Sequence, residues 1–182
     1  MNKRISISGT HSIGKTTLIE QLKKEKEFKD WLFIPGPTRT LRELGFSINN
    51  EDSNYDPTQM MCLAIDIQNL QKQGNILQDR SLLDTVIYTM YLMKEGKVSK
   101  EVGRVVRDIF LSFCSQYDLF IIPDKNDVEL VQDGVRNEDH DFRNQIEEMM
   151  FECLKSENLK YIVVKGTNEE RIKQVKKIIK NE

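Results

Sequence analysis

Disulfide chemistry has little to work with in this chain: Cys62, Cys114 and Cys153 are odd in number and far apart, with no C-x-x-C pair among them. That pattern excludes a cystine framework and predicts buried thiols on helices, in a reducing compartment. Proline is as sparse, with four residues in 182, and no linker, internal repeat or low-complexity tract divides the sequence. A single domain over residues 1–182 is expected, long enough to bury a continuous core without cross-links. No apolar run approaches the length of a bilayer span, and the start leads straight into a strand-like segment with no charged-then-apolar leader. A cytoplasmic protein with no membrane partner is therefore the expectation. A surplus of one charge is also missing: 27 Lys and Arg against 29 Asp and Glu leave a formal net charge of -2. Wholesale electrostatic capture of nucleic acid is not indicated, and any basic surface has to be local.

What is present starts at Gly9. The stretch GTHSIGKTT fits a glycine, four free positions and Gly-Lys-Thr, placed after the apolar Ile5-Ser6-Ile7 and before a helix-like Leu18 to Phe28. A loop between a buried strand and a helix start turns several backbone N–H groups toward one point, where phosphate oxygens are held. Gly9 and Gly14 allow the tight curl, Lys15 reaches the β and γ oxygens, Thr16 offers its hydroxyl to Mg²⁺ and Thr17 supports the α-phosphate. The expected nucleotide-contacting run is Gly9, Thr10, His11, Ser12, Ile13, Gly14, Lys15, Thr16 and Thr17. His11 reads as a solvated spacer within it, since no second histidine lies nearby to form a metal pair or relay.

Short apolar runs recur at Arg4 to Ser8, Trp31 to Ile34, Asn75 to Gln78, Leu119 to Ile122 and Tyr161 to Val164, and predict strands. Helical spacing falls between them, at Lys15 to Phe28, Pro57 to Gln71, Leu82 to Met93, Glu101 to Ser115 and Phe142 to Leu154. Thr167-Asn168-Glu169-Glu170 reads as the start of a closing amphipathic helix, Arg171 to Ile179, and Asn49 to Asp56 as a mobile loop. The alternation implies an α/β fold, a mostly parallel sheet covered on both faces, with ligands at the carboxyl ends of its strands.

Two further clusters stand out. Asp79-Arg80 ends a predicted strand, so Asp79 is placed to hold the Mg²⁺ shell or to accept the proton of an acceptor hydroxyl, and Arg80 to clamp a phosphate; the bland alternative is a surface ion pair. Farther on, Asp133-Gly134-Val135-Arg136 precedes Asn137-Glu138-Asp139-His140-Asp141-Phe142-Arg143. Arg136 and Arg143 either fold over the triphosphate from a closing segment or pair with Glu138, Asp139 and Asp141 on a solvated helix start.

GTHSIGKTT, QDRSLLDTVIY and DGVRNEDHDFR, in that order and followed by YIVVKGTNEERIKQV, resemble the P-loop kinases that include the nicotinamide riboside kinase domain, and more distantly thymidylate and deoxynucleoside kinases. The resemblance spans nearly the whole chain. It implies a P-loop NTPase fold of the nucleotide-kinase type with a five-stranded parallel sheet, ATP with Mg²⁺, and an arginine-bearing lid around residues 124–143. It gives catalytic roles to Lys15, Asp79, Arg136 and Arg143, metal contacts to Thr16 and Asp79, and substrate contacts to Arg80 and Asp84. One departure concerns the acceptor: where related kinases often carry a glutamate after the second strand, this chain has Ile34-Pro35-Gly36-Pro37-Thr38-Arg39-Thr40. Arg39 and Arg42 either form a cationic wall suited to an already phosphorylated acceptor or lie along a helix start beside Glu43.

The leading expectation is an ATP-dependent kinase acting on a nucleoside, nucleotide or related metabolite. A kinase of polynucleotides and a nonenzymatic ATP-binding module are the alternatives. Asp124-Lys125-Asn126-Asp127 has the letters of a guanine reader in the wrong order, which speaks against a GTP switch, and the Ser-Gly-Gly signature of transporter ATPases is missing. The sequence leaves oligomeric state open.

Overall fold

The computed structural model describes residues 2–46, 54–127 and 137–181. Its described strands are β1 (Arg4–Ile7), β2 (Trp31–Ile34), β3 (Asn75–Asp79), β4 (Leu119–Pro123) and β5 (Tyr161–Val164), forming one five-stranded sheet in the order β2-β3-β1-β4-β5. Every described pairing is parallel. The helices are α1 (Lys15–Leu22), α2 (Pro37–Glu43), α3 (Asp56–Leu70), α4 (Leu82–Lys94), α5 (Lys100–Phe113), α6 (Asn137–Ser156) and α7 (Asn168–Asn181).

Alternation along β4 shows why both faces need a cover. Leu119 and Ile121 enter a core with Ile5, Ile7, Leu18, Leu22, Leu77 and Val175, beneath α1 and α7. Phe120 and Ile122 enter the opposite core with Leu63, Leu83, Val106, Phe110, Ile146 and Met150, beneath α3 to α6. Successive side chains leave opposite faces of a strand, so a parallel sheet flanked by helices is largely apolar on both faces of its central strands. α5 is attached by Val106 and Phe110, each worth about 1.5–3 kcal/mol when fully buried, and its first turn is capped by Ser99 Oγ accepting from Val102 N at 3.2 Å.

All five expected strands are present to within a residue at their ends. The helices need more correction. The first stops at Leu22, with a short 3₁₀ turn at Lys26–Phe28 in place of a continuous helix, and the one read as ending at Ser115 gives way to a 3₁₀ turn at Cys114–Gln116. α6 starts at Asn137, ahead of the expected Phe142, and α2 takes up the helix start given as one alternative for Arg39 and Arg42. α7 begins with the anticipated signal, a reciprocal cap in which Glu170 Oε2 accepts from Thr167 N at 2.7 Å and Thr167 Oγ1 accepts from Glu170 N at 3.3 Å. Residues 49–53 of the loop expected to be mobile, and Arg136 in the expected lid, lie outside the described residues. Cys62 and Cys114 are buried as expected, whereas Cys153 is half-buried. Among the described residues no helix is long and apolar enough to cross a membrane.

β1 lies between β3 and β4, so the chain leaves it toward both edges of the sheet. That is the switch point at which an open α/β sheet forms its crevice.

Candidate functional site

The loop from Gly9 to Gly14 follows β1 into this crevice. Gly9 has φ 135° and Gly14 φ 81°, and a Cβ on Gly9 would meet Ile13 Cδ1 at 2.6 Å. Both positions therefore require glycine. Lys15 opens α1 and folds its ammonium back to donate to the carbonyls of Gly9, at 3.0 Å, and Thr10. Burial pushes its pKa well below the usual lysine range, with the neighbouring Arg80 charge acting the same way.

β3 brings the second cluster to the same place. Asp79 stands in register with Ile7, and Arg80 N donates to Ile7 O at 3.0 Å, so the end of β3 lies directly beside the start of the phosphate loop. The two line one pocket of about 440 Å³, together with His11 to Thr17, Gly36, Arg39 and Arg42. Burial raises the Asp79 pKa against the opposing pull of Arg80, Lys15 and Arg39. Gly36 permits this proximity on the other flank, since a Cβ there would meet Asp79 O at 2.7 Å.

Arg39, on α2, donates to Thr16 Oγ1 at 3.1 Å and lies 3.5 Å from Asp79 Oδ2. One cationic group thus touches both oxygens expected to serve a divalent ion. The donors are hard oxygens from one hydroxyl and one carboxylate, and they fit Mg²⁺, which keeps most of its shell for water and phosphate. Among the described residues no cluster of three or more His, Cys, Asp or Glu side chains forms a separate metal site.

Arg80 and Asp84 are more tightly engaged than expected for residues meeting only substrate. Arg80, at φ 66°, donates to Gly9 O and to Asp84 Oδ1, each at 3.2 Å, and lies over the Tyr88 ring. Asp84 also accepts from Gly9 N at 3.1 Å and, closing the first turn of α4, from Ser81 N at 3.0 Å. These bonds tie the phosphate loop to α4. Behind them runs a buried hydroxyl chain, with Ser6 Oγ 2.8 Å from Ser8 Oγ and Ser8 Oγ 3.3 Å from Ser81 Oγ.

Arg143 is buried on α6, and its Nε and Nη2 have no hydrogen-bond partner among the described residues. This corrects the solvated-helix-start alternative for Arg143. Its positive charge acts with burial and Arg80 to lower the Lys15 pKa. Buried charged donors without partners are costly unless an anion joins them. The preceding Phe142 packs at 5.4 Å from His11, stacked, and edge-on at 4.7 Å from Tyr91. His11 is consequently half-buried and stacked, a correction to its reading as a solvated spacer.

A second pocket, of about 420 Å³, adjoins the first, and His11, Thr38, Arg42 and Arg80 line both. Gln59, Cys62, Thr85, Tyr88 and Leu92 also line it, together with Phe142 from α6. Gln59 is fixed by accepting from Thr89 Oγ1 at 2.8 Å. Beneath this wall Asp66 is fully buried, accepting from Gln78 Nε2 at 3.0 Å and Thr85 Oγ1 at 2.7 Å, and burial raises its pKa to about 7. Burial also pushes the Cys62 thiol up to about 12. None of these side chains was singled out from sequence as part of a site, because each reads as the inner face of a helix or strand.

A family model described as AAA domain matches residues 4–171. Solved structures of similar fold include deoxyadenosine kinase from M. mycoides, with TM-score 0.69, 16% identity and 98% of each chain covered. Thymidylate kinase from Ehrlichia chaffeensis gives TM-score 0.66 at 14% identity, again over 98% of each chain. NadR protein in complex with NR gives TM-score 0.72 at 17% identity, over 99% of this chain and 51% of that one. No curated protein sequence matches the chain.

Proposed function

The chain belongs to the AAA domain family, and from that premise, with a fold like those of deoxyadenosine and thymidylate kinases, we propose that it is an ATP-dependent phosphotransferase. The acceptor is a nucleoside, a nucleotide or a related small metabolite. The observation that carries this reading is the convergence of Lys15, Asp79 and Arg80 around a glycine loop that adjoins a second, molecule-sized pocket.

The loop amides and Lys15 bind the donor phosphates. Thr16 and Asp79 would hold Mg²⁺, which when bound neutralises charge on the β and γ oxygens. In the transfer, a bond forms from the acceptor oxygen to the γ-phosphorus while the bond from that phosphorus to the β–γ bridging oxygen breaks, releasing ADP. Arg143 offers its donors to the equatorial oxygens where charge accumulates. With a hydroxyl acceptor the proton passes to Asp79, which stands at the end of β3 beside the phosphate loop. Asp84 serves chiefly to position Gly9 and Arg80, through the bonds it accepts from both.

The acceptor occupies the second pocket. Arg42 and Arg80, shared by both pockets, favour an acceptor that already carries phosphate. The pocket volume suits a single nucleotide-sized molecule more than a polymer. Consumption of Mg·ATP measured in parallel against nucleosides, nucleoside monophosphates, nicotinamide riboside and short DNA, with product identified by mass, tests the reading. A phosphorylated mononucleotide product supports it; no ADP release with any acceptor ends it.

A further inference from the structure

Arg171, read from sequence only as the start of an amphipathic helix, has one of the most buried large side chains in the molecule, 2% exposed. It leaves the first turn of α7 and reaches beneath the phosphate loop, 158 residues away in sequence. Its Nη1 donates to Ile13 O at 2.9 Å, and its Nη2 donates to Asp124 O at 2.8 Å and lies 3.3 Å from Asp127 Oδ2. The same Asp127 oxygen accepts from Gly166 N at 2.6 Å, and Asp124 N donates to Val164 O at 2.9 Å. One guanidinium therefore joins the loops that follow β1, β4 and β5.

The contact with Ile13 has a particular geometric consequence. A trans peptide is planar and its C=O and N–H point in opposite directions. With the Ile13 carbonyl drawn toward Arg171, the N–H of Gly14 is turned away from Arg171. His11 to Thr17 line the phosphate pocket, whereas Arg171 does not, so the far side of that peptide is the pocket side. Gly14, at φ 81°, has the freedom to flip this amide, and a glycine peptide is the one in the loop most in need of an external tie.

We infer that Arg171 is a positioning residue of the phosphate loop: its guanidinium fixes the Ile13–Gly14 peptide with the Gly14 N–H aimed at the bound phosphate. This rests on the nucleotide-donor reading of the Gly9–Thr17 loop. Lysine is a poor replacement, because a single ammonium does not reproduce the planar fork that serves Ile13 O and Asp124 O from two nitrogens.

The test uses the full chain with Arg171→Lys, Arg171→Met and Asp127→Asn, titrated with a fluorescent ADP, alongside ¹H–¹⁵N spectra of the Gly14 amide. Arg171→Lys and Arg171→Met are expected to bind ADP about tenfold more weakly while keeping the wild-type circular dichroism, as loss of a charge-assisted hydrogen bond implies. The Gly14 amide resonance moves in both. Asp127→Asn, which leaves the Ile13 contact in place, stays within about threefold of wild type. ADP binding by the Arg171 variants within twofold of wild type, or an unmoved Gly14 resonance, overturns the inference. So does failure of both Arg171 variants to fold, which makes the arginine a stability residue. Wild-type protein that ignores ADP removes the underlying donor reading instead, an outcome visible before any variant is made.

Discussion

The two adjoining pockets are built from different materials. The donor side is main chain held by side chains from a distance: Gly9 N on Asp84, Gly9 O under Lys15 and Arg80, Ile13 O on Arg171. The acceptor side is walled by side chains of α2, α3, α4 and α6, among them Arg42, Gln59, Tyr88 and Phe142. Amides recognise phosphate oxygens whatever base lies beyond them, so a backbone site is generic by construction. Side chains can be exchanged without disturbing the sheet, so under the proposed function selectivity resides in the acceptor wall.

Substitutions that separate the two sides sharpen or break this contrast. Lys15→Ala gives the largest effect, a fall in transfer rate of at least about 10³-fold, with residual activity close to wild type refuting the donor assignment. Arg143→Met lowers kcat by about 10²–10³-fold with a smaller change in acceptor KM, since its donors act on charge formed during transfer; single-turnover kinetics make the distinction. Asp79→Asn lowers kcat by about 10²-fold with a hydroxyl acceptor. Arg42→Ala raises the KM of a phosphorylated acceptor by about tenfold more than that of ATP, in steady-state kinetics with each substrate varied.

The smallest effect on activity is expected beneath the acceptor wall, where the readout is stability. The folded state holds the Asp66 proton more tightly than the unfolded chain does, with a pKa of about 7 against the usual 3.8. The stability that this group contributes is present below the lower value, declines as pH rises through the interval and is lost above the higher. Denaturant titrations of Asp66→Asn are expected to lack that slope, and a slope equal to wild type assigns it to another group.

The contrast between the pockets also explains what was legible in the sequence. Residues such as Gly14 and Lys15 announce their task because a phosphate loop fixes type and spacing within one continuous stretch. The strands were readable for the same local reason, as runs like Leu119 to Ile122 are apolar on both faces. α2 was legible only as an alternative helix start because Pro37–Glu43 buries only Pro37 and Leu41, too few for a period to emerge. Gln59, Cys62 and Tyr88 gave no signal because a pocket wall and a core have the same helical periodicity, and only the fold decides which inward positions remain lined by space. Arg171 was hidden by distance: its partner Ile13 is at the other end of the chain, and charge at a helix start has an ordinary explanation.

The missing side chain of Gly36 sets a boundary on how such a site diversifies. With α2 entering at contact distance from the carbonyl of Asp79, the phosphate-loop pocket, which both residues line, has no room for a side chain there. Any bulk added at that point pushes on Asp79 and is felt at the phosphate loop. New acceptor preferences are therefore cheapest to acquire on α3 and α4, from the acceptor pocket's far wall, while the α2 turn stays as it is.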